Sequence, residues 1–162
     1  MSKPVFSEAT LARFEREVAK YPPGWERSAV MACLAIAQEK GGGWLQPETI
    51  EAVAAYLNMP PIAVQEVATF YNMYELKPVG RHKITVCTNL PCALSGGNHA
   101  AQHIRQKLGI GFGETTADGK FTLKEGECMG ACGDAPVLLH NNHKMCGRMN
   151  PQAIDEWLEQ LP

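Results

Sequence analysis

Two stretches decide the reading: C-T-N-L-P-C-A-L-S-G-G, from Cys87 to Gly97, and G-E-C-M-G-A-C-G-D-A-P, from Gly126 to Pro136. Cys87 and Cys92 are separated by four residues, Cys128 and Cys132 by three, and 35 residues lie between the pairs. Thiolates delivered in pairs by two short loops are what a sulfur-ligated metal centre needs. The glycines let the backbone curl round such a centre and aim N–H groups at sulfur. We read a two-iron, two-sulfide cluster, and hence an electron carrier. Spacing alone still leaves rivals. Zinc accepts the same ligands, a disulfide pair is conceivable, and buried structural thiols are the blandest reading. Pro and Gly beside the cysteines are loop chemistry, which weighs against the last.

Outward from these loops, the second half alternates. Ile84 and Val86 mark a strand leading into Cys87. A helix bearing Ala101, Ile104 and Leu108 follows Gly96-Gly97, and Phe121 and Leu123 mark a strand running toward Cys128. Val137-Leu138-Leu139 reads as a buried strand, joined through Asn141-Asn142 turn chemistry to another over His143 to Cys146. Asn150 and Pro151 open a last helix with Ile154, Trp157, Leu158 and Leu161 inward. The order strand, helix, strand, strand, strand, helix predicts a thioredoxin-like α/β layer.

The first half reads as helices. Leu11, Phe14 and Val18 follow a Ser7-Glu8 start and stop at Pro22-Pro23. Val30, Cys33, Leu34 and Ala37 form a second stripe, ending at Gly41-Gly42-Gly43. Ile50, Val53, Ala54 and Leu57 form a third after Pro47, and Val64, Val67, Ala68 and Tyr71 a fourth. Lys77-Pro78-Val79-Gly80 breaks the pattern. The expected fold class is α+β: a helical bundle over residues 1–78, then a thioredoxin-like α/β domain over residues 79–162.

Composition narrows the function. With 162 residues, 45% hydrophobic and 20% charged, the chain has the profile of a globular protein. A net charge of −2 without a basic run argues against nucleic acid as a partner. The longest apolar stretch, Ala29 to Ala37, is too short to span a bilayer. The acidic N-terminal region lacks an apolar signal core, so a reducing cytosol is expected, where metal ligation is the better default for cysteines.

The stretches E-V-A-T-F-Y (Glu66 to Tyr71), C-T-N-L-P-C-A-L-S-G-G and E-C-M-G-A-C-G-D-A-P-V resemble the thioredoxin-like [2Fe-2S] subunit of bacterial NADH:quinone oxidoreductase, respiratory complex I. The resemblance runs along essentially the whole chain. It implies that Cys87, Cys92, Cys128 and Cys132 each ligate one [2Fe-2S] cluster. It also implies single-electron exchange with FMN on a flavoprotein partner that holds NADH and a [4Fe-4S] cluster, and a larger iron–sulfur subunit of the peripheral arm as second neighbour. The chain would then sit peripherally on the inner face of the bacterial plasma membrane, without direct insertion. NAD-reducing hydrogenases and NAD-dependent formate dehydrogenases use the same family, so they remain alternatives.

Other residues are weighed against blander roles. Cys33 lies on an inward stripe and Cys146 in a short strand, so both are expected as packed thiols. His99 and His103 have the i, i+4 spacing of a metal pair, but Ala100 stands where a zinc protease carries its glutamate. An exposed helix explains them better. Phe70, Met73 and Tyr74 are open between core and docking surface, whereas Tyr71 is expected in the core. There is no G-x-G-x-x-G after a strand, no phosphate loop and no Ser–His–Asp set, so no catalytic residue and no nicotinamide or flavin site is assigned. A zinc-bound scaffold is the competing class. A disulfide reductase would need C-x-x-C, which the sequence lacks.

Overall fold

Ser7 starts the first helix because its hydroxyl oxygen accepts the Thr10 N–H at 3.2 Å, with Glu8 in the first turn. The computed structural model describes residues 5–162. Helix α1 (Glu8–Val18) is followed by a 3-10 turn at Glu26–Ala29, then α2 (Val30–Lys40), α3 (Pro47–Tyr56) and α4 (Pro61–Phe70). Proline in the first turn opens both α3 and α4, where a missing N–H costs nothing. Phe14, Cys33, Leu34, Ile50, Val53, Val64 and Ala68 meet in one apolar core. Phe14 lies edge-on to Phe6 and Tyr56, at 5.0 and 5.1 Å between centroids. On the surface the Arg13 guanidinium forks onto Glu39, at 3.0 and 2.8 Å, and ties α1 to α2.

The expectation for Tyr71 is corrected. It is 37% exposed, whereas Tyr74 is 5% exposed. Helical spacing stops applying because α4 ends at Phe70 and Tyr71 turns to an extended ψ of 123°. The chain then doubles back, and the Tyr74 hydroxyl donates to the Met31 carbonyl at 2.7 Å. The buried Gln38 amide secures the same return, donating to Met73 O at 3.0 Å and accepting the Glu75 N–H at 2.6 Å. Phe70 is left outward.

The chain divides into two compact units, with the break between Pro78 and Val79. The second unit contains β1 (His82–Cys87), α5 (Leu90–Leu94), α6 (Gly97–Leu108), β2 (Phe121–Gly126), a 3-10 turn (Cys132–Asp134), β3 (Leu138–His140), β4 (Lys144–Cys146) and α7 (Pro151–Glu159). Its sheet has the order β2-β1-β3-β4. β1 and β2 are parallel with α6 in the crossover between them, while β3 runs antiparallel to both β1 and β4. Asn141 and Asn142 make the β3–β4 turn at φ 48° and 62°, the left-handed pair a tight hairpin demands. Ile84, Val86, Leu123 and Leu138 from the sheet pack with Ala100 and Ile104 of α6 and Ile154 and Leu158 of α7. Asn150 caps α7, accepting the Ala153 N–H at 2.9 Å. This is the mixed α/β layer expected from the sequence, preceded by a helical region. Among the described residues, no helix is long and apolar enough to cross a membrane.

One consequence of the topology positions the site. In a parallel pair the carboxyl ends of both strands fall at the same edge of the sheet. Here Cys87 stands opposite Gly126, so the loop after β1 and the loop after β2 leave side by side.

Candidate metal centre

Cys87 is the last residue of β1, and its N–H donates to Val137 O at 3.1 Å. The next residue continues the contact with β2, its Thr88 N–H donating to Gly126 O at 3.1 Å. Cys92 is carried by α5, a single short helix that the sequence reading did not anticipate because five residues are too few to show a period. Both thiols of this pair are 1% exposed. They pack with Val137, with Met129, Ala131 and Ala135 around them.

The turn after Cys92 leaves no room. Gly96 takes φ 94°, and a Cβ on Gly97 would lie 2.8 Å from Cys92 O and 3.0 Å from Cys87 O. α6 therefore begins hard against the backbone of both cysteines. The N–H groups of Ser95 and Gly96 donate back to carbonyls within this turn, so they hold the loop's own shape. Of the N–H groups flanking the second pair, that of Gly130 donates to Cys128 Sγ at 3.4 Å, with Gly130 at φ 73°.

Cys128 and Cys132 are both exposed, with their Sγ atoms 3.8 Å apart. Their loop is anchored from behind. Asp134 O accepts the Arg148 N–H at 2.6 Å, Pro136 O accepts the Met149 N–H at 3.0 Å, and Arg148 pairs with the Asp134 carboxylate at 3.2 Å. A Cβ on Gly147 would lie 2.7 Å from Asp134 Cβ, so this approach too is tight.

Electrostatics links all four thiols. Burial first, then the hydrogen-bonding Cys87 thiol, with Cys132 contributing, pushes Cys92 up to about 11. The Cys132 thiol is raised chiefly by its hydrogen bond with Cys128, with burial and Cys87 adding to it. Cys92 and Cys132 thus resist ionising beside their neighbours. A positive centre removes that conflict, because it favours the thiolate form of every ligand.

The donors are grouped two and two: Cys92 hydrogen-bonds with Cys87, and the Sγ atoms of Cys128 and Cys132 lie 3.8 Å apart. Among the described residues no set of three or more His, Cys, Asp or Glu side chains is gathered to hold a metal ion. Two pairs of thiols suit a binuclear iron–sulfur centre. The residues present fit such a group.

The other nominated residues do other work. Cys33 is fully buried in the helical core and pushed up to about 12 by burial first and Glu17 second. Cys146 is buried in β4 with its thiol raised by burial. His103 Nε2 meets Asp155 Oδ1 at 2.8 Å, so α6 uses that histidine to grip α7, while His99 is exposed. Two residues escaped the sequence reading. Asn89 Nδ2 donates to Glu127 Oε2 at 2.8 Å, and Thr88 Oγ1 to Glu125 Oε1 at 2.8 Å. Their signal was only their place beside cysteines; the pairing needs the parallel register.

Comparison with known proteins agrees with this chemistry. The profile of the thioredoxin-like [2Fe-2S] ferredoxin family matches residues 14–162. The E-type subunit of the NADH-quinone oxidoreductase of Rickettsia conorii is 47% identical over 137 residues, spanning 85% of this chain and 82% of the relative. The mitochondrial NADH dehydrogenase [ubiquinone] flavoprotein 2 of Dictyostelium discoideum is 39% identical over 85% of this chain and 56% of its own length. In fold, a chain of the air-oxidized NAD+-reducing [NiFe]-hydrogenase superposes with a TM-score of 0.67 at 22% identity. That match covers 79% of this chain and about a fifth (22%) of the hydrogenase chain.

Proposed function

Because the chain belongs to the thioredoxin-like [2Fe-2S] ferredoxin family, we propose that it is the electron-carrying, E-type subunit of an NADH:quinone oxidoreductase. The observation that carries the reading is the pairing of Cys87 with Cys92 and of Cys128 with Cys132 at one sheet edge, next to high identity with NADH-quinone oxidoreductase relatives. Cys87, Cys92, Cys128 and Cys132 would hold the cluster, which supplies storage of one electron at a time.

The chain's own residues set the conditions. Val137, Met129, Ala131 and Ala135 keep water from the inner cysteine pair. Gly130 directs an N–H at Cys128 sulfur, and such donors stabilise the negative charge that reduction adds. The electron is exchanged with FMN on a flavoprotein partner, and the chain has no NADH oxidation of its own. The helical unit serves to dock the chain in its complex, beside that flavoprotein and a larger iron–sulfur subunit of the peripheral arm. The complex holds it at the inner face of a bacterial plasma membrane.

The test is the visible spectrum of anaerobically purified chain, with electron paramagnetic resonance after dithionite reduction. A red-brown protein that bleaches and gives a rhombic S = 1/2 signal is expected. A colourless protein holding one zinc would overturn the reading in favour of a scaffold. NADH oxidation by the chain alone would overturn the partner-borne FMN. The second reading is an NAD-reducing hydrogenase or NAD-dependent formate dehydrogenase as parent complex; the likeness to the hydrogenase chain, at 22% identity, supports the shared fold alone. Identification of the proteins that co-purify with the chain separates the two.

A further inference from the structure

The β1–β2 ladder ends at Cys87 opposite Gly126, yet contact between the strands' successors does not stop there. After the Thr88 N–H to Gly126 O bond, side chains take over. Thr88 Oγ1 donates to Glu125 Oε1, and Asn89 Nδ2 donates to Glu127 Oε2, each at 2.8 Å. Asn89 lies between Cys87 and Cys92, and Glu127 immediately precedes Cys128. The Asn89–Glu127 bond is therefore a strut between the segments that carry the two cysteine pairs.

A strut of this kind needs only an acceptor, and an amide oxygen would serve. The residue present is instead a carboxylate, beside cysteines that, with a cluster bound, would already gather negative charge. Adding an electron beside a fixed negative charge is disfavoured by Coulomb repulsion. The Gly130 N–H acts in the opposite sense.

Resting on the cluster reading above, we propose that Glu127 is a positioning residue for the cluster: gripped by Asn89, it fixes the spacing of the two cysteine loops and lowers the reduction potential by its charge. The two roles separate experimentally. Glu127→Gln keeps an acceptor for Asn89 and removes the charge. Asn89→Asp sets two carboxylates against each other and opens the strut. The double variant Asn89→Asp/Glu127→Gln restores a hydrogen bond with donor and acceptor exchanged.

The experiment is a redox titration of the cluster in the full chain at low ionic strength, with the rate of bleaching by a ferrous chelator as second readout. Glu127→Gln should bleach at the parental rate and be about threefold to tenfold more reduced at a fixed potential, tenfold being 59 mV for one electron. The difference should shrink in high salt, because Glu127 is exposed. Asn89→Asp should bleach faster, and the double variant should return toward the parental rate. An unmoved or lowered midpoint in Glu127→Gln overturns the charge role. Parental bleaching in Asn89→Asp, or no recovery in the double variant, overturns the strut. A parent chain without a cluster would instead overturn the function proposed above, and this inference with it.

Discussion

At the scale of single residues, the six cysteines separate by environment more than by type. Cys33 is held at about 12 by burial in the helical core, and Cys92 at about 11 by burial and its neighbour thiol. At pH 8 a thiol of pKa 11 is ionised only about one part in a thousand, and the thiolate is the nucleophile. Cys128 and Cys132 are open to solvent. In cluster-free chain, iodoacetamide should therefore modify Cys128 and Cys132 first and Cys33 and Cys92 last. Peptide mass spectrometry over time reads the order; early labelling of Cys92 would contradict the burial. The packing of Cys33 was legible from its apolar stripe, but the loop context suggested by nearby Pro and Gly does not hold for Cys87, which ends β1, or Cys92, which lies in α5. That one pair is sealed and the other exposed was not legible. Val137, which covers Cys87 and Cys92, arrives from a distant stretch of chain.

At the scale of elements, close approach and helix linkage make two predictions. Alanine in a helix is ordinarily worth about 1 kcal/mol over glycine. At Gly97 the added Cβ would meet backbone atoms of Cys92 at 2.8 and 2.9 Å, which cannot swing aside as a flexible side chain would. Gly97→Ala should therefore lower the thermal midpoint and the iron content per chain; a variant with parental iron and a raised midpoint would contradict the packing. The α1–α2 tie carries a pH dependence. Hydrogen bonding from Arg13, with its charge, holds the Glu39 carboxyl at about 2. A depressed carboxyl contributes stability above its unfolded value of about 4.3 and loses it as pH falls through the folded value. Solvent reaches both partners, so the contribution stays at the surface-pair level of about 0.5–1 kcal/mol. Urea unfolding of Glu39→Gln should show that deficit at pH 7 and lose it toward pH 2. An equal deficit at both values would contradict the linkage. The helices carrying these residues were readable from 3.6-residue periodicity, Ser7 and the opening prolines. The error at Tyr71 arose where that periodicity was carried one residue past the end of α4, beyond which only the return of Tyr74 onto Met31 fixes which side chain is inside.

At the scale of the whole molecule, two units each have a core of their own, joined through Pro78 and Val79. The second includes every cysteine of the proposed centre. Residues 79–162 expressed alone should then keep the cluster chromophore but fail to co-purify with the parent complex; loss of colour, or retained co-purification, would contradict this division of labour. The sequence by itself determined the order of the longer helices and the strands, most of the inward stripes and the two cysteine pairs with their spacing, because periodicity and glycine or proline chemistry are local. The short α5 and the exposure of Tyr71 were not among them. Only the tertiary structure decided that the two loops leave one sheet edge together, that one thiol pair is buried, and that Asn89 reaches Glu127. The physical reason is that parallel pairing of β1 with β2 joins segments far apart in sequence through an intervening helix, and no local pattern records which strands will pair.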